Sequence, residues 1–328
     1  GPLTSLAQML AEELDVAYEA VDMVMGDTDR CPRDAGTWGS LSTRYYGIFV
    51  KEAAGEAKGV LKALAAERLL CPVTRLVTEN GLIFDRTRPM SRVTYGELTA
   101  GKIIERHLKE LPPLKHVSEY TISCKPYLRR DEFDKVTGRA QYTADIRLPG
   151  MVYARILRAP AHGARRLRVD TTAAQRMKDV QIVRDGDLVA LLHPHPDGAA
   201  KALGSVKADF DLPDTGVNDE TIFTHLLANA PEPVVASEAG NPEECEKKAA
   251  AIIEETYQNS YVYHAPMEPH AAMASVAGNK ATVWASTQAP FAVQGLVAET
   301  LDLPVENVRI IVPFVGGGFG GKSASAQA

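Results

Sequence analysis

Cysteine is sparse in this 328-residue chain: Cys31, Cys71, Cys124 and Cys245 lie far apart. None belongs to a C-x-x-C pair, so the sequence encodes neither a structural zinc site nor an iron–sulfur cluster. The dispersed thiols fit a reduced compartment. Basic residues are never dense. Arg129-Arg130 and Arg165-Arg166 are isolated pairs in a chain of net charge −6, and no nucleic-acid partner is expected. No apolar run approaches the length of a membrane span. With 45% hydrophobic residues over this length, the chain can form two or more packed units.

What the chain does have is concentrated near its C-terminal end. Gly316, Gly317, Gly318, Gly320 and Gly321 surround one aromatic, Phe319. Backbone N–H groups without side chains approach a bulky anion closely. The apolar residues before them predict a buried strand. Two generic patterns fit. Gly316 to Ser323 matches the phosphate loop G-x-x-x-x-G-K-[ST], and Gly316, Gly318 and Gly321 match the dinucleotide fingerprint G-x-G-x-x-G. Both require a helix and more sheet afterwards, and only seven residues follow Gly321. A P-loop nucleotide hydrolase is therefore a distant reading, and a glycine turn without a ligand stands beside it. Lys322 suits either a phosphate or a buried carboxylate.

The rest of the chain divides by pattern. Leu3, Leu6, Leu10 and Leu14 predict an amphipathic helix over 3–14 with Glu12 and Glu13 on its polar face. Val21 to Val24 is a strand candidate, and 26–42 a polar loop. A long helix is expected from Val50 to Leu69. Short strands follow over 73–94, with Asn80-Gly81 as a hairpin turn. Lys102 to Leu108 suggests a short helical piece. Prolines mark 112–127 as a linker. Beyond it, strands are expected at 140–145, 151–157, 180–183 and 188–192, and helices at 172–177 and 198–206. The acidic stretch 231–248 is a second linker. His193 and His195, interleaved with prolines, predict a surface loop before a metal site.

Three segments taken together are more specific than any glycine pattern. His264-Ala-Pro-Met-Glu-Pro-His270, Trp284-Ala-Ser-Thr-Gln-Ala-Pro290 and the loop GGGFGGK resemble, in order and spacing, the large subunit of the molybdenum hydroxylases, the xanthine dehydrogenase and aldehyde oxidase family. The segments Lys135-Val-Thr-Gly138, Tyr142-Thr-Ala-Asp-Ile146 and Arg158-Ala-Pro-Ala-His162 resemble that family's hammerhead domain, where His162 is structural. The N-terminal residues, including Gly36-Thr-Trp-Gly-Ser-Leu-Ser-Thr43, resemble the second cofactor-binding region. Its place ahead of the hammerhead is similar to the isoquinoline and nicotinate oxidoreductase branch.

The resemblance implies an α+β fold: an α/β-hammerhead domain plus parts of the molybdopterin-binding α/β domains. The expected division is 1–111 as a partial molybdopterin-binding region, 128–230 as the hammerhead and 249–328 as the start of the first molybdopterin-binding domain. Both ends look cut, and the isolated chain is expected to be inactive. The implied cofactor is a molybdenum–pterin, with or without a cytosine dinucleotide extension. Its implied binding residues are Gly316, Gly317, Gly318, Gly320, Gly321, Gly39, Ser40, Ser42 and Gln288, with Phe319 over the substrate pocket and no protein ligand to the metal. The implied reaction is hydroxylation of an aldehyde or N-heteroaromatic carbon with water as oxygen source.

The family's catalytic glutamate lies in a G-x-G-E segment that this sequence does not contain, and Glu268 is expected to organise the cofactor strand. A glutamine that many members carry six residues before that glutamate is Val262 here. The implied partners are a 2Fe-2S small subunit, a cytochrome or flavin electron-transfer subunit, the remainder of the large subunit and a small-molecule substrate. The implied setting is the bacterial cytoplasm or a membrane-associated complex.

Overall fold

A computed structural model describes residues 2–214, 216–237 and 239–323. The chain forms two units, one from residues 1–146 and 263–328, the other from 147–262.

The first unit opens with helix α1 (Pro2–Leu14). Ala7 and Ala11 pack with Tyr18 and Val21 in a small core. Glu12 and Glu13 are buried, not on a solvated face as their spacing suggested. The reason is the segment 115–123, which lies along α1. Glu12 accepts backbone N–H bonds from Thr121, Ile122 and Ser123 at 2.9, 2.7 and 2.9 Å, and the Lys115 ammonium sits 3.0 Å away. Residues 112–127 are therefore docked against α1, where the sequence suggested a linker. No strand forms at Val21–Val24; a single 3-10 turn (Tyr18–Ala20) precedes it.

Helix α2 (Gly47–Leu69) is entered through a wide turn at Ser42–Tyr46. Its Leu61 and Ala65 pack on an antiparallel sheet of β1 (Leu76–Glu79), β2 (Leu82–Asp85) and β3 (Arg88–Thr94). Asn80 and Gly81 both have positive φ, 48° and 73°, as a tight hairpin turn requires. Thr94 and Glu97 cap the short helix α3 (Tyr95–Thr99) reciprocally. Residues 102–108 are not helical; the Leu108 N–H donates to Glu56. Helix α4 (Glu132–Val136) belongs to this unit too. Arg130 N–H donates to Thr4, and Tyr142 bridges Phe314. These contacts move the boundary from residue 128 to residue 146.

The second unit holds β4 (Tyr153–Ile156), β5 (Arg165–Asp170), α5 (Thr172–Gln175), β6 (Gln181–Asp185), β7 (Leu188–His193), α6 (Pro196–Gly204) and β8 (Lys207–Asp211). Strands β4, β7 and β6 form an antiparallel sheet, and β5 pairs with β8 as a separate ribbon. Val189 and Leu191 on β7 pack against Ala202 of α6 and Ala174 of α5. His193 ends β7 with its ring on the first turn of α6, where a side chain at Gly198 would meet it at 2.1 Å. His162 lies exposed in the loop after β4. Helices α7 (Ile222–Ala228) and α8 (Pro242–Lys248) follow, and 249–262 is exposed and has no regular secondary structure.

The chain returns to the first unit with β9 (Ala272–Ala277), β10 (Lys280–Ala285), α9 (Pro290–Leu301) and β11 (Val308–Ile311). β10 pairs antiparallel with β9 and parallel with β11, with α9 as the crossover. Ala281, Val283, Ala285, Val293, Val308 and Ile310 form the core beneath it. The outer edge of β11 is covered by residues 26–28. Val312 N–H donates to Gly26 O at 2.6 Å, Thr28 N–H to Ile310 O at 3.1 Å, and Asp27 bridges Ile311.

Candidate functional site

Parallel strands end side by side, so the loops leaving them meet at their carboxyl ends, where open α/β sheets bind ligands. Here Ser286-Thr287-Gln288 leaves β10, and the run to Gly316–Lys322 leaves β11. Gln288 joins the two. Its N–H donates to Lys322 O at 2.9 Å, and its side-chain oxygen accepts from the N–H groups of Gly320 and Lys322 at 3.1 and 3.3 Å. The same residue holds the N-terminal segment. Thr37 N–H donates to Gln288 O at 2.8 Å, and the Gln288 amide nitrogen donates to Thr37 O at 3.0 Å. A side chain on Gly36 would come within 2.5 Å of the Gln288 backbone carbonyl oxygen.

The loop's other anchor is Glu268. Its Oε2 accepts from Ser286 Oγ at 2.8 Å, Gly316 N–H at 2.7 Å and Lys322 Nζ at 2.7 Å. The Lys322 side chain is fully buried and that of Glu268 nearly so, at 0% and 9% exposure. Burial pushes the Glu268 carboxyl up, but the bonds from Lys322, Gly316 and Ser286 outweigh it and hold it below its ordinary value. Lys322 thus pairs with a carboxylate and is not presented to a phosphate. That removes the lysine on which a P-loop depends. Glu268 organises the loop, and a carboxylate held ionised in this way is a poor proton acceptor.

Of the sequence-derived residues, Gln288 contacts Gly318 and Gly320 of the loop at this hub, and the N-terminal segment reaches it through Gly36 and Thr37. Three loop glycines are required by the protein's own packing. A side chain at Gly316 would meet Glu268 Cβ at 2.4 Å, one at Gly318 the Gln288 amide at 2.3 Å, and one at Gly321 the His264 ring at 3.0 Å. Gly317 and Gly320 have φ of 97° and 99°, and Phe319 itself has φ of 55°.

The N–H groups of Gly317, Gly318 and Phe319 have no partner among the described residues, so they fit an anionic or ring-edge acceptor of a pterin cofactor. Phe319 is 74% exposed. Gly39 and Ser40 are exposed with φ of 50° and 58°, and Ser42 opens the wide turn into α2. The signals missed in the sequence are Asp27 and Arg309, paired at 3.0 and 2.6 Å, which tie the N-terminal segment to β11. Among the described residues no group of three His, Cys, Asp or Glu side chains could hold a metal ion.

Comparison with known proteins bears on the same residues. Residues 1–146 and 226–328 each match a family model described as a molybdopterin cofactor-binding domain. A nicotinate dehydrogenase subunit of Pseudomonas putida is 29% identical over 99% of this chain and 28% of its own length. The beta subunit of isoquinoline 1-oxidoreductase from Brevundimonas diminuta is 28% identical over 98% of this chain and 48% of its own length. The crystal structure of quinoline 2-oxidoreductase from Pseudomonas putida 86 covers 60% of this chain and 31% of its own at 22% identity, with a TM-score of 0.47. The chain spans less than half the length of these two curated relatives. It belongs to the molybdenum hydroxylase family and carries molybdopterin cofactor-binding domains.

Proposed function

We propose that this chain is the molybdenum-cofactor-binding part of an oxidoreductase large subunit that hydroxylates an aldehyde or N-heteroaromatic carbon with water as oxygen source. The observation that carries the proposal is the Gln288 hub. It joins the two family-matched regions to a loop whose Gly317, Gly318 and Phe319 N–H groups stand open. When bound, a molybdenum–pterin supplies the oxygen-transfer and redox chemistry. This chain's residues bind and orient. The open N–H groups hold acceptor atoms, Gly39, Ser40 and Ser42 face the same cofactor, and Phe319 covers the substrate. Unit 147–262 serves as the hammerhead domain.

The relatives are themselves named as subunits, which supports partner proteins for this chain. A 2Fe-2S protein and a cytochrome or flavoprotein would carry electrons away, in the bacterial cytoplasm or at its membrane. The test is to produce the complete open reading frame with its neighbours in a host that makes the cofactor. Molybdenum and oxidised-pterin fluorescence should copurify, and dye reduction should follow addition of benzaldehyde or isoquinoline. A folded protein without molybdenum and pterin would overturn the proposal.

A further inference from the structure

We infer that His264 is a substrate-binding residue, a hydrogen-bond donor on the face of the glycine loop directed at an in-plane lone pair of the substrate: an aldehyde oxygen or a ring nitrogen. The inference rests on the reading above and adds to it a residue that recognises the substrate.

Four observations converge on this imidazole. It is seated by the loop: a side chain at Gly321 would come within 3.0 Å of its Cγ and 3.2 Å of its Cβ, and one at Gly320 within 3.5 Å of its Nε2. Neither ring nitrogen has a partner among the described residues, although the side chain is held against protein on one face. The next residue, Ala265, has φ of 38°. An alanine in the left-handed region immediately before a proline is an uncommon and costly backbone, retained where the surroundings over-determine it and recurrent at ligand-binding positions. Finally, an exposed apolar ring shares the loop. The Phe319 ring and Pro266 both crowd Gly317, at 3.0 and 3.4 Å from where its side chain would begin.

A free donor and an open aromatic face on one short loop are what a planar molecule with one acceptor atom requires: apolar contact for the ring, one polar group to fix its orientation. A neutral imidazole supplies one N–H and one acceptor, and a protonated one supplies two donors, so either form can meet a lone pair. Glu268, the carboxylate two residues beyond Pro266, cannot take this part: its Oε2 is held by Lys322, Ser286 and Gly316, its Oε1 is buried without a partner among the described residues, and an ionised carboxylate has no proton to give to a lone pair.

The test uses the complete enzyme, its molybdenum and pterin content measured first, then kinetics with benzaldehyde and isoquinoline as separate arms. His264→Phe keeps the ring volume over Gly321 and removes the N–H. It should retain molybdenum and raise KM about tenfold, the loss of one hydrogen bond, with the smaller effect on kcat. The arm in which KM rises identifies the acceptor as the aldehyde oxygen or the ring nitrogen. His264→Gln should recover part of the loss by restoring a donor. Wild-type kinetics for His264→Phe in both arms would overturn the inference and leave the proposed function standing. So would loss of molybdenum in that variant, which would make the ring a packing element, or a Gln variant no better than Phe. A wild-type enzyme without molybdenum would overturn the proposed function and this inference together.

Discussion

Glu268 and Lys322 show how much one buried pair decides. Both side chains are almost out of solvent, so removing one partner leaves an uncompensated charge among apolar neighbours. Lys322→Met should destabilise the first unit by about 3–5 kcal/mol. Lys322→Met with Glu268→Gln should restore most of it, a difference that urea unfolding resolves. The glycines make a second residue-scale distinction. Gly318→Val drives a branched side chain into Gln288, 2.3 Å from its first atom, and breaks the hub. That variant should lose molybdenum while the second unit stays folded. Phe319→Ala removes only an exposed ring and should keep molybdenum while impairing turnover. Equal loss of metal in both variants, by elemental analysis, would make the ring a structural plug.

At the scale of elements, the legible parts of the sequence were those with local signals. Helices α1 and α2 carry a long apolar period, and Asn80-Gly81 marks its hairpin. Strands β5 and β8 were missed because charge dominates both, Arg165-Arg-Leu-Arg has no apolar alternation and its Leu167 is exposed, and the two strands pair only with each other. Glu12 and Glu13 were placed on the wrong face because their partners lie about a hundred residues away, beyond any local pattern. The glycine run was legible in the sequence, yet the packing reason for Gly316, Gly318 and Gly321 was not. It lies in Glu268, Gln288 and His264, contacts that only folding creates.

Residues 26–28 make the same point, since their pairing with β11 depends on Asp27 meeting Arg309. The Arg309 guanidinium holds the Asp27 carboxyl below its ordinary value. Asp27→Asn should cost about 1.5–3 kcal/mol, the range of hydrogen bonds to charged groups. Hydrogen exchange at Thr28 and Val312 should quicken first, because their N–H groups make the edge bonds.

On the scale of the whole molecule, the two units differ in what acid does to them. In the first unit, Glu12, Asp15, Asp27, Asp85, Asp131 and Glu268 all have carboxyls held below their ordinary values by ion pairs and N–H donors. For Asp85, burial pushes upward, but Arg75 and Thr87 outweigh it and leave it at about 2. A carboxyl with a depressed folded value contributes stability that is present above its unfolded value, near 4, and is lost as pH falls through the folded value. The six losses therefore set in as pH falls below about 4, and the Asp85 loss runs on through about pH 2. In the second unit the lowered carboxyls are Asp170, half-buried, and Asp197, exposed; neither is in a buried ion pair among the described residues, and solvent screens their contribution. The two tryptophans, Trp38 and Trp284, both lie in the first unit and report on it alone. Acid titration of the chain should show the tryptophan emission change before hydrogen exchange rises in residues 181–193 of the second unit. Simultaneous transitions would mean that the buried ion pairs of the first unit do not set its acid limit.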